Sequence, residues 1–230
     1  MPEMTDAPAT IRTMPEKSPS RGERRKLRTR AALIEAAQEI YSQRGDFDVS
    51  IQQITEAADV GFGSFYNHFS SKAELLEAAI AEALETHAAW LEGLLADVDD
   101  PAVVFATSMR LTGRLIRTHP RMARVMMNMN SRGALLEASY GHAAHARRDI
   151  EAAIDAGRFA VEDVRVALAC ATGCLLAVVH LCETDPKASV DDMTDQTVLN
   201  VLRMFGMEDA EAHRIVTLPL PVDEPPTVSI

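Results

Sequence analysis

The sequence predicts an all-α protein, on three observations. Helix-favouring Ala and Leu are plentiful within an apolar fraction of 47%, while aromatic residues make up only 5% and β-branched runs are few. Apolar side chains recur at helical spacing along much of the chain. Ser and Asp stand where helices would begin, and Gly or Pro where they would end. The 230 residues fit one large or two small domains with an ample core.

Residues 1–22 hold Pro2, Pro8, Pro15 and Pro19 among small polar residues and predict a flexible arm. A helix is expected from about Arg24 to Arg44, with Leu27, Ala31, Ile34, Ala37 and Tyr41 on its inward face and Gly45 as its stop. Ser50 and Gln53 match a capping box that opens a short helix ending near Asp59, with Ile51, Ile54 and Ala58 inward. After a break at Val60-Gly61, another short helix runs from Phe62 to His68. Ser71 and Glu74 form a second capping box, opening a long helix from Lys72 to about Ala96, on the order of 35–40 Å. Asp99-Asp100-Pro101 starts the next, with Pro at an early helical position, and His119-Pro120 interrupts it. Further helices are expected over Arg121 to Asn128, Arg132 to Ala156, about Glu162 to Glu183, Ser189 to Phe205, and a last turn over Glu208 to Val216. The tail from Leu218, with Pro219, Pro221, Pro225 and Pro226, cannot be helical.

The formal net charge of −11 argues against a nucleic-acid partner until its distribution is read. Lys17, Arg21, Arg24, Arg25, Lys26, Arg28 and Arg30 crowd one segment against Glu23 alone. Such a segment can grip phosphates while an acidic body repels DNA from the wrong face; a solvated charged tail is the plain alternative. Cys170, Cys174 and Cys182 lie in one apolar stretch and read as buried, reduced thiols. The N-terminus has no apolar signal core, and the uncharged run Val166 to Cys182 reads as a core or interface helix that falls short of a membrane span. A cytoplasmic protein without a membrane partner is expected. His142 with His145, and His180 with Cys182, lack the further ligands a metal site needs. With no phosphate-cradling Gly loop, nucleophile elbow or paired-carboxylate signature, no metal, cofactor or catalytic residue is expected, and the chain does not read as an enzyme.

Helix, tight break and helix within about 20 residues is the helix-turn-helix pattern; a generic small helical bundle is the alternative. The run from Ile51 to Lys72 resembles the TetR family. That family's pattern is Ile-Ala-x-x-Ala-Gly-Val-Ser-x-Gly-x-Leu-Tyr-x-His-Phe-x-Ser-Lys, and Gly63, Tyr66, His68, Phe69, Ser71 and Lys72 stand at matching places, with apolar Ile54, Ala58, Val60 and Phe65. The resemblance covers residues 25–85 or so and extends loosely over the helical body. In three places the chain departs from it. Asp59 replaces the usual turn Gly but tolerates left-handed geometry better than most residues. Gly61 replaces a Ser cap, and Phe62 stands where the family is often polar, either to meet a thymine methyl or to plug the domain core.

The resemblance implies an N-terminal three-helix helix-turn-helix domain (residues 23–72) joined by a long helix to a larger helical ligand-binding and dimerisation domain (residues 73–217), between the arm and a flexible tail (218–230). Gly63 would let the recognition helix approach the duplex, with Phe62, Ser64, Tyr66, Asn67 and His68 on or beside it. Asn67 suits adenine or a phosphate; Tyr66 and His68 suit phosphates. Ser50 would donate to a phosphate, Lys72 would clamp a neighbouring one, and Arg28, Thr29 and Arg30 would do so from the first helix. Phe65 and Phe69 would pack the small domain. In the family the last two long helices pair with their mates; Ala169, Gly173 and Ala177 form a small-residue ridge suited to that, or to close packing within one monomer. The middle helices would enclose a pocket for an unidentified effector, with Met109, Met122, Met126 and Met129 joined by Phe105, Trp90 and Tyr140, unless these are ordinary core. Arg110, Arg114, Arg117, Arg121 and Arg124 would recognise an anion at its rim, or be solvated or paired. The expected function is a homodimeric regulator, most simply a repressor released from a palindromic operator by a small, largely apolar effector. A constitutive or architectural DNA binder and an all-α enzyme are the alternatives.

Overall fold

The computed structural model describes residues 20–44, 49–119, 141–185 and 187–221. Its described residues form only helices: α1 (Arg21–Arg44), α2 (Ile51–Ala57), α3 (Phe62–Phe65), α4 (Lys72–Leu94), α5 (Pro101–Thr118), α6 (Gly141–Asp155), α7 (Val164–Thr184), α8 (Val190–Met204) and α9 (Asp209–Val216). The sequence-predicted helix Arg121 to Asn128 and the start of the one at Arg132 lie outside the described residues.

Helix α1 starts earlier than its apolar pattern suggests, because Ser20 and Glu23 close a reciprocal cap. The Glu23 amide donates to Ser20 Oγ at 3.2 Å, and the Ser20 amide donates to the Glu23 carboxylate at 2.6 Å. Its inward face also begins later than predicted. Leu27 and Ala31 are exposed, while Leu33, Ile34, Ala37 and Tyr41 are buried, so the first basic turns stand clear of the core. Ser50 caps α2 in the predicted box with Gln53. Asp59 then takes the left-handed conformation, φ +52°, at the turn into α3. Helix α3 is a single turn, shorter than predicted: at Asn67 and His68 the backbone bonds tighten from i−4 to i−3 acceptors. Ser71 caps α4 through the Glu74 amide, but the Glu74 carboxylate turns to the Ser70 amide and hydroxyl instead of completing a box. Asp100 caps α5, with Pro101 at its first position, and Gly157, φ +68°, ends the turn after α6.

Two apolar clusters result. The N-terminal one gathers Leu33, Ile34, Tyr41, Ile54, Phe65, Phe69, Leu75 and Ile80 from α1 to α4, and also takes in Leu115 of α5 and Leu176 of α7. The other centres on Phe105, Phe159 and Phe205, whose rings lie 5.4, 5.6 and 5.2 Å apart. Helix α5 is pinned to α8 by an ion pair between a buried arginine and a half-buried aspartate. Arg110 donates to both Asp195 oxygens, at 2.9 and 3.1 Å, and to the Leu218 carbonyl at 2.8 Å, and Arg114 adds a contact of 3.3 Å to Asp195. Arg114 and Arg117 also reach Asp191, so these three arginines are paired rather than poised for an anion, while Arg121 and Arg124 lie outside the described residues. Beside the pair, Gly113 lets α8 approach so closely that a Cβ would collide with the Thr194 side chain.

Two stability predictions rest on these contacts. Asp59→Gly relieves the left-handed strain and should raise unfolding stability by about 1 kcal/mol, measured by urea titration; a loss would mean that the Asp side chain holds the turn. Burial pushes the Asp195 carboxyl up, but the Arg110 and Arg114 hydrogen bonds and charges outweigh it and hold it below the usual range. A depressed carboxylate contributes stability above its unfolded pKa and loses it as pH falls through the folded one. Asp195→Ala strands Arg110 and should cost about 3 kcal/mol at pH 7, with an acid limb flatter than that of the natural chain.

Candidate nucleic-acid interface and body cavity

The candidate DNA-contacting residues of the N-terminal domain are exposed or half-buried. Arg28 and Arg30 are exposed on α1, and the Arg30 guanidinium lies over the Phe69 ring, 5.2 Å from its centroid. Thr29 is half-buried, and its hydroxyl donates to the Arg25 carbonyl at 3.1 Å. Gly63, Tyr66 and Asn67 are exposed, Ser64 and Lys72 half-buried. A Cβ on Gly63 would meet nothing within 4 Å, so the backbone there is open to a close approach. Ser50 is exposed, but its hydroxyl already accepts from the Gln53 amide and lies 3.1 Å from Gln53 Oε1, so a phosphate would have to displace that amide side chain. His68 is half-buried, with Nδ1 lacking a hydrogen-bond partner among the described residues. Burial lowers its pKa, and the positive charges of Lys26 and Arg30 lower it further, which favours the neutral imidazole. That effect places the basic end of α1 beside the turn after α3. Lys26 is the member of this group that residue-by-residue matching passed over, although the basic run contains it.

Phe65 is fully buried and Phe69 nearly so, as expected. Phe62 is not. At 53% exposure, as the first residue of α3, it does not plug the core.

Within the body, α4, α5, α6 and α7 enclose a cavity of about 370 Å³. Phe105 and Met109 line it. Trp90 does not; it stacks against His87, 5.5 Å between centroids. Met122, Met126, Met129 and Tyr140 lie outside the described residues. Leu84, Leu115 and Leu176 line the cavity and also belong to the N-terminal cluster. The sequence reading missed one polar corner. His145 Nε2 lies 3.0 Å from a Glu92 oxygen, and Arg148 lies 3.6 Å from the other. Beside them Asp149 is half-buried; desolvation raises its pKa, opposed by the charges of Arg148 and His145 and reinforced by Glu92. The adjacent charges of Arg148 and Asp149, among the small apolar residues of α6, were the legible signal.

Helix α7 leaves a face uncovered. Val164–Cys182 is by length and composition long enough to cross a membrane, contrary to the shorter span read from sequence, and only 28% of it is buried. It nonetheless packs against α6 and α8. Gly173 and Ala177 are exposed on it between Val166 and Leu181, which are 59% and 48% exposed, and Ala169 is half-buried at the edge. Cys170, Cys174 and Cys182 are half-buried rather than buried, because they border this face; burial still pushes the Cys174 and Cys182 thiols up. Among the described residues no cluster of metal-ligating side chains occurs.

Comparison with known proteins matches this architecture. The family model described as "Bacterial regulatory proteins, tetR family" matches residues 33–79, and the one described as "Tetracyclin repressor-like, C-terminal domain" matches residues 100–218. The crystal structure of RolR in complex with resorcinol is 31% identical, with a TM-score of 0.68 over 86% of this chain and 97% of that one. Ligand-free RolR aligns at 30% identity with a TM-score of 0.65, over 83% of this chain and 98% of that one. The regulator TtgR of Pseudomonas putida is 42% identical over 59 residues, which span 26% of this chain and 28% of that protein. TcmR of Streptomyces glaucescens is 36% identical over 88 residues, 38% of each chain. With both halves of the chain matched and a relative aligned along nearly its full length, this protein belongs to the TetR family of DNA-binding transcriptional regulators, which are not enzymes.

Proposed function

We propose that the protein is a cytoplasmic repressor that binds a palindromic operator as a homodimer and is released by a small effector held in the body cavity. The observation that carries this reading is the set of shared leucines. Leu84, Leu115 and Leu176 line the cavity and pack into the cluster of the DNA-binding domain, so a molecule there presses on side chains that seat that domain. An effector that binds one spacing of the two DNA-binding domains better than the other shifts the population toward it. A cavity of about 370 Å³ lies at the small end of ligand pockets and suits a compact, largely apolar molecule. Asp149 defines its polar group. Arg148 and His145 set their charges beside its carboxyl, which suits it to accept from a hydroxyl on the ligand. RolR was crystallised with resorcinol, a small aromatic diol of that chemistry. The constitutive, architectural reading would fit a body filled by its own side chains; the cavity favours the effector-responsive one. On the DNA side the proposed contacts are Arg28, Arg30, Tyr66, Asn67, His68 and Lys72 to phosphates and base edges, with Gly63 allowing close approach and Ser64 beside it.

The uncovered face of α7 is proposed to receive the same face of a second copy, with Gly173 at the closest approach. Two recognition helices on one rigid dimer read two half-sites and multiply affinity.

The test uses operator fragments selected from genomic DNA by the full-length protein. Resorcinol and simple phenols should weaken operator binding, and Asp149→Asn should weaken their effect about thirtyfold, the worth of a hydrogen bond to a charged group. Operator binding indifferent to every neutral hydroxylated aromatic, in a protein that still binds DNA, would overturn the effector reading. For the dimer, Gly173→Glu is informative because a Cβ there meets nothing within the monomer. It should leave the helical content intact, yield monomers in sedimentation, and lower operator affinity by about a hundredfold or more. A dimer that persists would place the seam elsewhere.

A further inference from the structure

We propose that Phe62 reads a thymine methyl group in each operator half-site. The proposal rests on the reading above that α3 enters the major groove. Phe62 is the first residue of α3, and its ring is 53% exposed beside the exposed Tyr66. Its orientation is fixed by a chain of edge-to-face rings. Phe65, fully buried, meets Tyr66 at 5.3 Å and 80°, and Tyr66 meets Phe62 at 5.9 Å and 70°. The flanking glycines leave it uncovered: a Cβ on Gly63 would touch nothing, and one on Gly61 would reach only Ser64 Oγ at 3.9 Å.

A phenyl ring can neither donate nor accept a conventional hydrogen bond, so it has no strong partner among phosphates or the polar edges of bases. The apolar group that the major groove presents is the thymine 5-methyl. A ring held at a fixed angle at the start of the recognition helix therefore selects thymine by excluding water between itself and that methyl. Tyr66, which supports the ring, keeps its hydroxyl for other work, and its loss would disorder Phe62 without removing it.

The experiment uses the full-length protein and the selected operator, with each thymine of one half-site replaced in turn by uracil, which differs only by the methyl. Binding is measured by fluorescence anisotropy. At one position uracil should weaken binding about fourfold, the worth of one buried methyl; 5-methylcytosine paired with guanine at that position should bind more tightly than cytosine. Phe62→Ala should bind thymine and uracil operators equally at that position, and Phe62→Leu should restore part of the difference. Because Phe62 is exposed, both variants should melt with the natural chain. Indifference of the natural chain to uracil at every position, or a full thymine preference kept by Phe62→Ala, would overturn the proposal and leave DNA recognition standing. Failure to bind any duplex would overturn the groove-docking reading and this proposal together.

Discussion

The two halves of this molecule share three leucines, and that shared packing is the constraint on which the rest depends. Leu84, Leu115 and Leu176 belong at once to the apolar cluster beneath the DNA-binding helices and to the lining of the body cavity. Protein interiors are close-packed, so a side chain serving two clusters cannot move in one without disturbing the other. The N-terminal domain is small, and α1 to α3 offer it only one apolar side; it completes its core by leaning on α4, α5 and α7. Its orientation is therefore set by the body, not by a linker.

The fold was largely legible because its punctuation is chemical. Ser50 with Gln53, Ser71, and Asp100 with Pro101 mark helix starts by satisfying orphan amides, and each helix begins where its cap stands. Ser20 with Glu23 carries the same signal and was overlooked because it lies among prolines and charges instead of before an apolar run. Periodicity was less dependable: Leu27 and Ala31 fit the inward stripe of α1 but lie beyond the reach of the core it serves. Asp59 behaved as its side chain allows, taking up the left-handed turn that glycine usually fills.

The candidate sites were legible to different depths. The proposed DNA face follows from local spacing on α1 to α3, where sequence distance and spatial distance nearly coincide. The cavity does not, since its corner joins Glu92 on α4 to His145, Arg148 and Asp149 on α6. No local pattern announces such a meeting. Trp90 shows the converse: an aromatic at a plausible helical position turned to His87 instead of the cavity.

The clamp between α5 and α8 has a mechanical consequence. Arg110 and Asp195 lock these helices ionically, and Gly113 removes the slack between them at Thr194, so the wall formed by α5 is braced from behind. The wall formed by α4 is held differently: Glu92 ties it to His145 and Arg148 of α6, and behind it stands α1, whose Gln38 donates to the Ala79 carbonyl and which carries the basic end of the DNA-binding domain. One jaw of this vice is thus backed by a helix of the body and the other by a helix of the N-terminal domain, so a strain on the second jaw is a strain on α1.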